Sequence, residues 1–357
     1  MNFSIFLDPL ISIPITGLMG ISLALIASTS PSLLVSQLVF FLIGLILFFI
    51  FASLDVRIWI KLIWILYFLS VLFLILTYFG PLVRGATRWI EVFGVRLQPS
   101  EIVKPLIIII FSVLMTQKKS KKISSRIIHL IYLTPLVFLV FKQPDLGNAI
   151  VYLFIYLSLL IIDGIPWKVL LGSVILMILL FPVLWYFLQD YQQLRLLSFI
   201  NPQNDPVGTG YNALQAKIAL GSGLLSGMGL GRGTQSKLLF LPEYHTDFVF
   251  ASLGEELGFI GGFTVLLLYF LLLWKIIKNA VTTEEKLKKF ICIGVFSQFF
   301  IQVFINIGMN LGLMPITGIT LPLISYGGSS IISTFINLGL VLSVSRLESK
   351  NQPLVIR

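Results

Sequence analysis

Long apolar runs constrain this chain more than any other feature. No charged residue occurs across 34–54, and none across 257–274. Backbone in hydrocarbon has no water to satisfy its N–H and C=O groups, so it must form helices or a closed barrel. A helix needs about 20 apolar residues to cross, a strand only about 10. Runs of this length dictate helices. Composition agrees: 57% of the 357 residues are hydrophobic and 11% are charged, against roughly 25% charged in soluble domains. Mean hydropathy is +1.00. The sequence predicts an all-α integral membrane protein, one polytopic domain over 1–357. About ten transmembrane helices are expected, at 10–28, 32–54, 58–79, 100–117, 126–143, 145–163, 166–188, 246–274, 288–308 and 327–346. No lysine or arginine precedes Arg57, so a signal-peptide n-region is missing and the first run should remain as a span.

The net charge of +10 does not indicate nucleic acid, because the basic residues cluster beside the spans. Lys118, Lys119, Lys121, Lys122 and Arg126 mark 118–126 as a cytoplasmic loop; Lys275, Lys278, Lys286, Lys288 and Lys289 mark 275–289 as another. An even span count then puts both termini in the cytoplasm. The single cysteine, Cys292, sits in an apolar segment, and only His129 and His245 are histidines. A disulfide framework and a Cys/His metal cluster are both excluded.

Three broken, more polar segments fall on the outer face: 80–101, the large extracytoplasmic loop 189–245 between the seventh and eighth spans, and 309–328 with Pro315, Pro322 and several glycines. Irregular backbone at membrane depth survives only when buried in protein or lining a cavity. Chemistry is therefore expected on the outer face.

The stretch 241–256, LPEYHTDFVFASLGEE, carries Glu243, Asp247, Glu255 and Glu256. Asp247 is expected at the mouth of a span, with Glu255 and Glu256 about two turns inside, where each charge costs roughly 3 kcal/mol. Helical spacing puts Ala251, Gly254 and Gly258 on the face of Asp247. So bare a face either packs closely against another helix or leaves a groove leading to Asp247. One glutamate would then serve the groove and the other a structural ion pair. Asp247 reads as catalytic or substrate-contacting, with N-capping as the alternative. His245 reads as a polar surface residue, and His129 as structural or interfacial. Outward cations run against the positive-inside trend: Arg84, Arg88, Arg96, Lys104, Lys142, Arg195, Lys217, Arg232 and Lys237. Collectively they suit a lipid phosphate or pyrophosphate; singly, each can instead pair with Glu91, Glu101, Asp145 or Glu243. Gln98-Pro99-Ser100-Glu101 and Gln143-Pro144-Asp145-Leu146 each open a span with helix-capping chemistry. The segment 211–232 starts as an amphipathic helix and ends in glycines; lacking a βαβ context, it is no nucleotide fingerprint.

Read together, RGATRWI with LQPSEIVK, QPDLGNA, GLGRGTQ with LPEYHTDFVFASLGEELG, and LMPITGITLPLISYGGSS resemble the SEDS family (shape, elongation, division and sporulation) of bacterial peptidoglycan polymerases. The resemblance covers essentially the whole chain. Residues 316–319, Asn201-Pro202 and Gly233-Thr234-Gln235 tilt it toward the rod-shape branch rather than the division branch. It implies a ten-span enzyme of the cytoplasmic membrane that polymerises lipid II at the outer face during elongation and shape maintenance. The growing glycan would pass from undecaprenyl pyrophosphate to a sugar hydroxyl of the incoming lipid II. The family's key aspartate falls on Asp247, with Glu255, Glu256, Glu101 and Asp145 as supporting carboxylates. Arg88, Lys104, Lys142, Arg195 and Lys217 are the candidates for holding pyrophosphate. Gly85, Trp89, Gln98, Pro99, Pro315, Ser325, Tyr326 and Gly327 are expected to shape the outer loops. A class B penicillin-binding protein is the implied partner, beside membrane lipids and without nucleic acid. The resemblance fixes no cofactor; a divalent cation, Mg or Mn, held between a carboxylate and the pyrophosphate fits the same chemistry. Leu224 and Met228 stand where related sequences often carry glycine and lysine, so neither joins the catalytic set. The competing readings are a flippase for a lipid-linked precursor, a non-catalytic scaffold and a division-type paralogue.

Overall fold

The computed structural model describes residues 8–81, 86–92, 94–117, 128–201 and 208–351. Arg84, Gly85 and the basic loop 118–126 lie outside these residues. In chain order the helices are α1 (Pro9–Thr29), α2 (Leu34–Ser53), α3 (Ile58–Leu76), α4 (Pro99–Gln117), α5 (Leu130–Lys142), α6 (Leu146–Ile162), α7 (Trp167–Phe187), α8 (Asp190–Ile200), α9 (Thr209–Ser222), α10 (Thr234–Lys237), α11 (Val249–Thr282), α12 (Lys286–Asn310) and α13 (Gly328–Asn351). Among the described residues seven helices are long and apolar enough to cross a membrane: α1 to α4 and α11 to α13. The chain is a multi-pass membrane protein. The three other expected spans correspond to the shorter apolar helices α5 and α6 and to the 21-residue α7.

The helices α4, α12 and α13 form the centre, each burying more than 80% of its most apolar window, whereas α2 and α3 bury less than 30%. Apolar side chains gain little from leaving lipid, so close backbone approach and van der Waals contact must hold such a bundle together. A Cβ on Gly44 of α2 would lie 2.3 Å from the Phe335 ring of α13, and one on Gly294 of α12 would lie 2.7 Å from Ile108 of α4.

One end of the bundle is tied by ion pairs. Lys275 meets Asp8 at 2.5 Å, Lys286 meets Asp163 at 3.1 Å, and Arg57 and Lys288 both reach Glu285 at 3.0 Å. These pairs gather the start of α1 and the α2–α3, α6–α7 and α11–α12 turns. The expected basic loop 275–289 is mostly helical. Lys275 and Lys278 lie within α11, before its last turn, and only 283–285 links it to α12.

At the opposite end the chain is longer and less regular. Segment 80–101 contains an antiparallel hairpin, β1 (Ile90–Val92) with β2 (Val95–Leu97), in the register Ile90–Leu97, Glu91–Arg96 and Val92–Val95. The otherwise all-α expectation missed it, because three-residue strands leave too short an alternation to read. Gly94 turns the hairpin at φ 76°. The helices α8, α9 and α10 fill the interval before α11, and 311–327 runs irregularly between α12 and α13.

Candidate functional site: a broken helix against an irregular segment

Helix α11 is broken at Gly258, whose backbone stands at φ 66° and ψ −163°. The groups freed by the break are taken up by the glycine-rich segment after α9. The N–H groups of Met228 and Gly229 donate to the carbonyls of Glu255 and Glu256 at 2.9 and 3.0 Å, and the N–H groups of Phe259 and Ile260 donate to Leu224 and Leu225 at 2.8 and 3.1 Å. The fit leaves no room for side chains: a Cβ on Gly223 would lie 1.8 Å from the Gly254 carbonyl oxygen, and one on Gly227 would lie 2.1 Å from that of Glu256. The expected continuous face of Asp247, Ala251, Gly254 and Gly258 is therefore corrected. Asp247 precedes the helix and Gly258 interrupts it; of the two alternatives, close packing holds, since a Cβ on Gly254 would lie 2.4 Å from Leu220 of α9 and one on Gly258 would lie 2.3 Å from Gly227 N.

The break also sets the depth of the glutamates. Lys275 belongs to the ion-paired end, and Phe259 lies about 24 Å above it at 1.5 Å per residue. Residues 259–275 thus nearly match a hydrocarbon core of about 30 Å. Glu255 and Glu256 stand about two turns inside α11, as expected, on the side of the break away from Lys275. Both are buried and saturated by donors. Glu255 accepts from the N–H groups of Gln235 and Ser236 at 2.7 and 3.1 Å and from the Ser236 hydroxyl at 2.7 Å. It thereby holds the first turn of α10, where exposed N–H groups favour an anion. Glu256 accepts from the Ser28 hydroxyl at 2.6 Å and the Gly231 N–H at 3.1 Å. The expectation that one of them forms an ion pair gives way to hydrogen bonds with α1 and the glycine segment.

Asp247 is half-buried in the turn before α11. Two α12 amides reach its carbonyl: Asn306 Nδ2 at 3.0 Å and Asn310 Nδ2 at 3.1 Å. Asn306 Nδ2 also donates to the Ile319 carbonyl at 2.7 Å. Its carboxylate faces the irregular segment, since a Cβ on Gly318 would lie 3.5 Å from Asp247 Oδ2. Gly318 takes φ 75°, which suits glycine. The Ser325 hydroxyl donates to the Thr246 carbonyl at 2.6 Å, and the Tyr326 N–H donates to the His245 carbonyl at 2.8 Å. The His245 ring packs between Tyr244 and Tyr326, so it belongs to this junction and not to an open polar surface.

On the far side of the same segment lies a second polar cluster. A Cβ on Gly147 would sit 2.7 Å from Ile319 and 3.0 Å from the Thr317 carbonyl. Two residues earlier, Asp145 caps α6 by accepting from the Asn148 N–H at 3.3 Å. It also accepts from Gln98 Nε2, the Ser100 hydroxyl and Asn148 Nδ2, each at 2.9 Å. Ser100, expected as a cap of its own helix, turns its hydroxyl to Asp145 instead. Glu101 and Lys104 pair at 2.7 Å, with the lysine side chain fully buried. The Gln98 N–H donates to the Ser329 hydroxyl at 2.7 Å, while Pro99 begins α4. A Cβ on Gly80 would lie 2.0 Å from the Trp89 carbonyl oxygen.

The candidate cations thus separate. Lys104 has an internal partner. Arg88 donates from Nε to the Gln143 carbonyl at 3.1 Å and from a terminal nitrogen to the Pro144 carbonyl. Lys142 is exposed, lying 5.7 Å from the centre of the Phe138 ring. Arg195 and Lys217 instead line one pocket with Ser198, Gly312, Pro315 and Ile316. Arg195 donates to the Ile316 carbonyl at 3.3 Å, two residues from the glycine that Asp247 faces. Among the described residues no three His, Cys, Asp or Glu side chains gather into a metal-binding group, and Glu255, Glu256 and Asp145 are already occupied by donors. A cation held by three such side chains does not fit these residues; the expected one asks for a single carboxylate beside the pyrophosphate.

The residues that sequence reasoning missed are Asn306 and Asn310. Their signal is legible in retrospect, because Gln298, Gln302, Asn306 and Asn310 recur every fourth residue along an otherwise apolar helix.

Comparison with known proteins gives one consistent result. The FtsW/RodA/SpoVE family model, described as a cell cycle protein, matches residues 7–350. Peptidoglycan glycosyltransferase MrdB of Escherichia coli K12 is 39% identical over 306 residues, covering 84% of this chain and 82% of that protein. A chain from a peptidoglycan synthase complex, solved to show how polymerization and crosslinking are coordinated, is 31% identical. It superposes with a TM-score of 0.82 over 96% of this chain and 98% of its own. The crystal structure of the rod shape determining protein RodA of Thermus thermophilus gives a TM-score of 0.72 at 28% identity, over 99% of this chain and 98% of that one. The chain belongs to the FtsW/RodA/SpoVE family, the SEDS family that its motifs resemble.

Proposed function

We propose that this chain polymerises lipid II at the outer face of the cytoplasmic membrane, with Asp247 as the general base. The chain is a rod-shape peptidoglycan glycosyltransferase. In the reaction the glycan is carried on undecaprenyl pyrophosphate and the acceptor is a sugar hydroxyl of the next lipid II. A hydroxyl is a weak nucleophile, and a positioned carboxylate that takes its proton speeds attack. The acceptor proton passes to Asp247, the acceptor oxygen bonds to the anomeric carbon, and the bond to pyrophosphate breaks as the lipid-linked pyrophosphate leaves. Arg195 and Lys217 meet the charge that gathers on that leaving group. Arg88 and Lys104 shape the neighbouring walls through Gln143, Pro144 and Glu101.

The observation that carries this reading is the placement of Asp247 Oδ2 against Gly318, two residues along the same backbone from the carbonyl that Arg195 holds. A base and a cation thereby flank one segment at the boundary where a lipid-linked sugar emerges. The positive-inside distribution supports the orientation, with the ion-paired end and both termini in the cytoplasm. The likeness to a chain of a synthase complex supports a crosslinking partner, which we assign as a class B penicillin-binding protein. Purified protein with lipid II, its glycan products resolved on a gel, tests the proposal. Asp247→Asn keeps the shape of the side chain and removes the base, so polymerisation should fall by at least about 100-fold. Near-normal chains from a correctly inserted variant would overturn the assignment.

A further inference from the structure

The four buried amides of α12 divide into two pairs. Gln298 Nε2 donates to Gln302 Oε1 at 3.1 Å, and Asn337 of α13 donates to Gln298 Oε1 at 2.8 Å. Asn306 and Asn310 turn away from this internal network toward the site. Asn310 caps the start of α11. The first N–H groups of an α-helix find no carbonyl within it, and Ala251 is the third residue of α11. The Ala251 N–H donates to Asn310 Oδ1 at 2.9 Å, and Asn310 Nδ2 donates to the Asp247 carbonyl at 3.1 Å. One amide thus serves the first turn of α11 and the Asp247 carbonyl just ahead of it. Asn306 adds a second donor to that carbonyl and a bond to the Ile319 carbonyl. One amide thus spans the backbone of Asp247 and the segment that its carboxylate faces.

We infer that Asn306, backed by Asn310, is a positioning residue for this reaction: it fixes the separation between Asp247 and the 316–320 segment and acts on substrate only through them. The inference rests on the reading of Asp247 as the base. Both asparagines are fully buried, and the Asp247 carbonyl can accept both donors because it has two lone pairs. Loss of Asn306 therefore leaves the Asp247 carbonyl with one amide and the Ile319 carbonyl without this donor. Chemistry should suffer more than binding, because a small misplacement of a reacting group slows turnover steeply.

The test uses the full-length purified chain and lipid II. Initial rates over a range of lipid II concentrations are measured for Asn306→Ala, Asn310→Ala, the control Gln302→Ala, Asp247→Asn and the double variant Asp247→Asn with Asn306→Ala, together with thermal stability. Asn306→Ala should lower kcat at least about tenfold with KM changed less than about threefold. Gln302→Ala, equally buried but turned to the internal network, should lose stability and keep its kcat. On the Asp247→Asn background the second substitution should cost nothing further, since groups acting as a unit are not additive. Should Asn306→Ala fail to fold, Asn310→Ala carries the same expectation at the same carbonyl.

Equal losses of kcat in the Asn306 and Gln302 variants, both recovered on cooling, would reduce Asn306 to packing and overturn the inference. So would multiplicative losses in the double variant. An active Asp247→Asn protein overturns the base assignment and this inference together, whereas an inactive one beside a normal Asn306→Ala overturns the positioning role alone.

Discussion

Arg195 and Lys217 enter the same pocket from different helices, and their chemistry predicts different responses to substitution. A charge-assisted contact contributes about 1.5–3 kcal/mol, so Arg195→Gln and Lys217→Gln should each lower kcat/KM by roughly 10- to 100-fold. Arg195→Lys should recover only part of the loss, because a point charge cannot keep one donor on the Ile316 carbonyl and also present a planar fork. Kinetics in the lipid II assay beside thermal stability check this. Full activity in Lys217→Gln would remove that lysine from the phosphate-binding proposal. At this scale Asp247 stood out in the sequence as a carboxylate beside a long apolar run. What separates Arg195 from Lys104 did not stand out. Both are cations near outer-face motifs, and only the fold shows Lys104 turned inward onto Glu101 while Arg195 lines a pocket.

Helix α11 is the element on which sequence reasoning was least complete. The expected span 246–274 reads as one continuous helix, since glycine inside an apolar run is common in membrane spans. The positive φ at Gly258 depends on distant backbone around 224–229, which no local pattern encodes. That dependence is testable. Gly258→Ala would place a Cβ 2.3 Å from Gly227 N and 2.6 Å from the Leu225 carbonyl oxygen. The backbone strain alone costs on the order of 1–3 kcal/mol, so the variant should melt earlier and lose polymerisation. Gly20 of α1 meets nothing within 4 Å, and Gly20→Ala should be neutral or stabilising by up to about 1 kcal/mol. Thermal unfolding of the pair decides the matter, and a Gly258→Ala protein as stable as Gly20→Ala would mean that the break is not required. The helix positions themselves were largely legible, because hydrocarbon leaves a chain of long apolar runs few alternatives. The hairpin at 90–97 and the capping of α11 by Asn310 were not, being products of tertiary contact.

At the scale of the whole molecule the two ends differ in how they are held. The ion-paired end should respond to pH through Glu285, whose carboxyl is held below the usual carboxylate range, chiefly by its hydrogen bond from Arg57. A depressed pKa in the folded state contributes stability that is present above the unfolded value of about 4.3 and is lost as pH falls through the lowered folded value. The melting temperature should therefore decline on acidification below about pH 4.5, and Glu285→Gln should flatten part of that decline. An identical pH dependence in the two proteins would show that the pair contributes nothing measurable. Orientation has its own test. Cys292 is buried, so a single introduced thiol dominates labelling. Pro242→Cys should react with an impermeant reagent on intact cells, and Glu284→Cys only after the membrane is opened; the reverse pattern would invert the proposed topology.

The bonds that close the site at this scale also bear on how the chain is made. The Ser22 hydroxyl of α1 donates to the Ile324 carbonyl, across 302 residues of sequence. Gln37 of α2 donates to Ser22, and Ser28 to Glu256, 228 residues on. Helices leave the ribosome in order: Gln37 can meet Ser22 once α2 is made, Ser28 must wait for Glu256, and the Ser22 hydroxyl must wait for Ile324. A chain that stops before Ile324 therefore holds its first two spans together but lacks the bond that ties them to the irregular segment before α13. The first span and that segment close the structure together, so the earliest helix made is completed by one of the last parts of the chain.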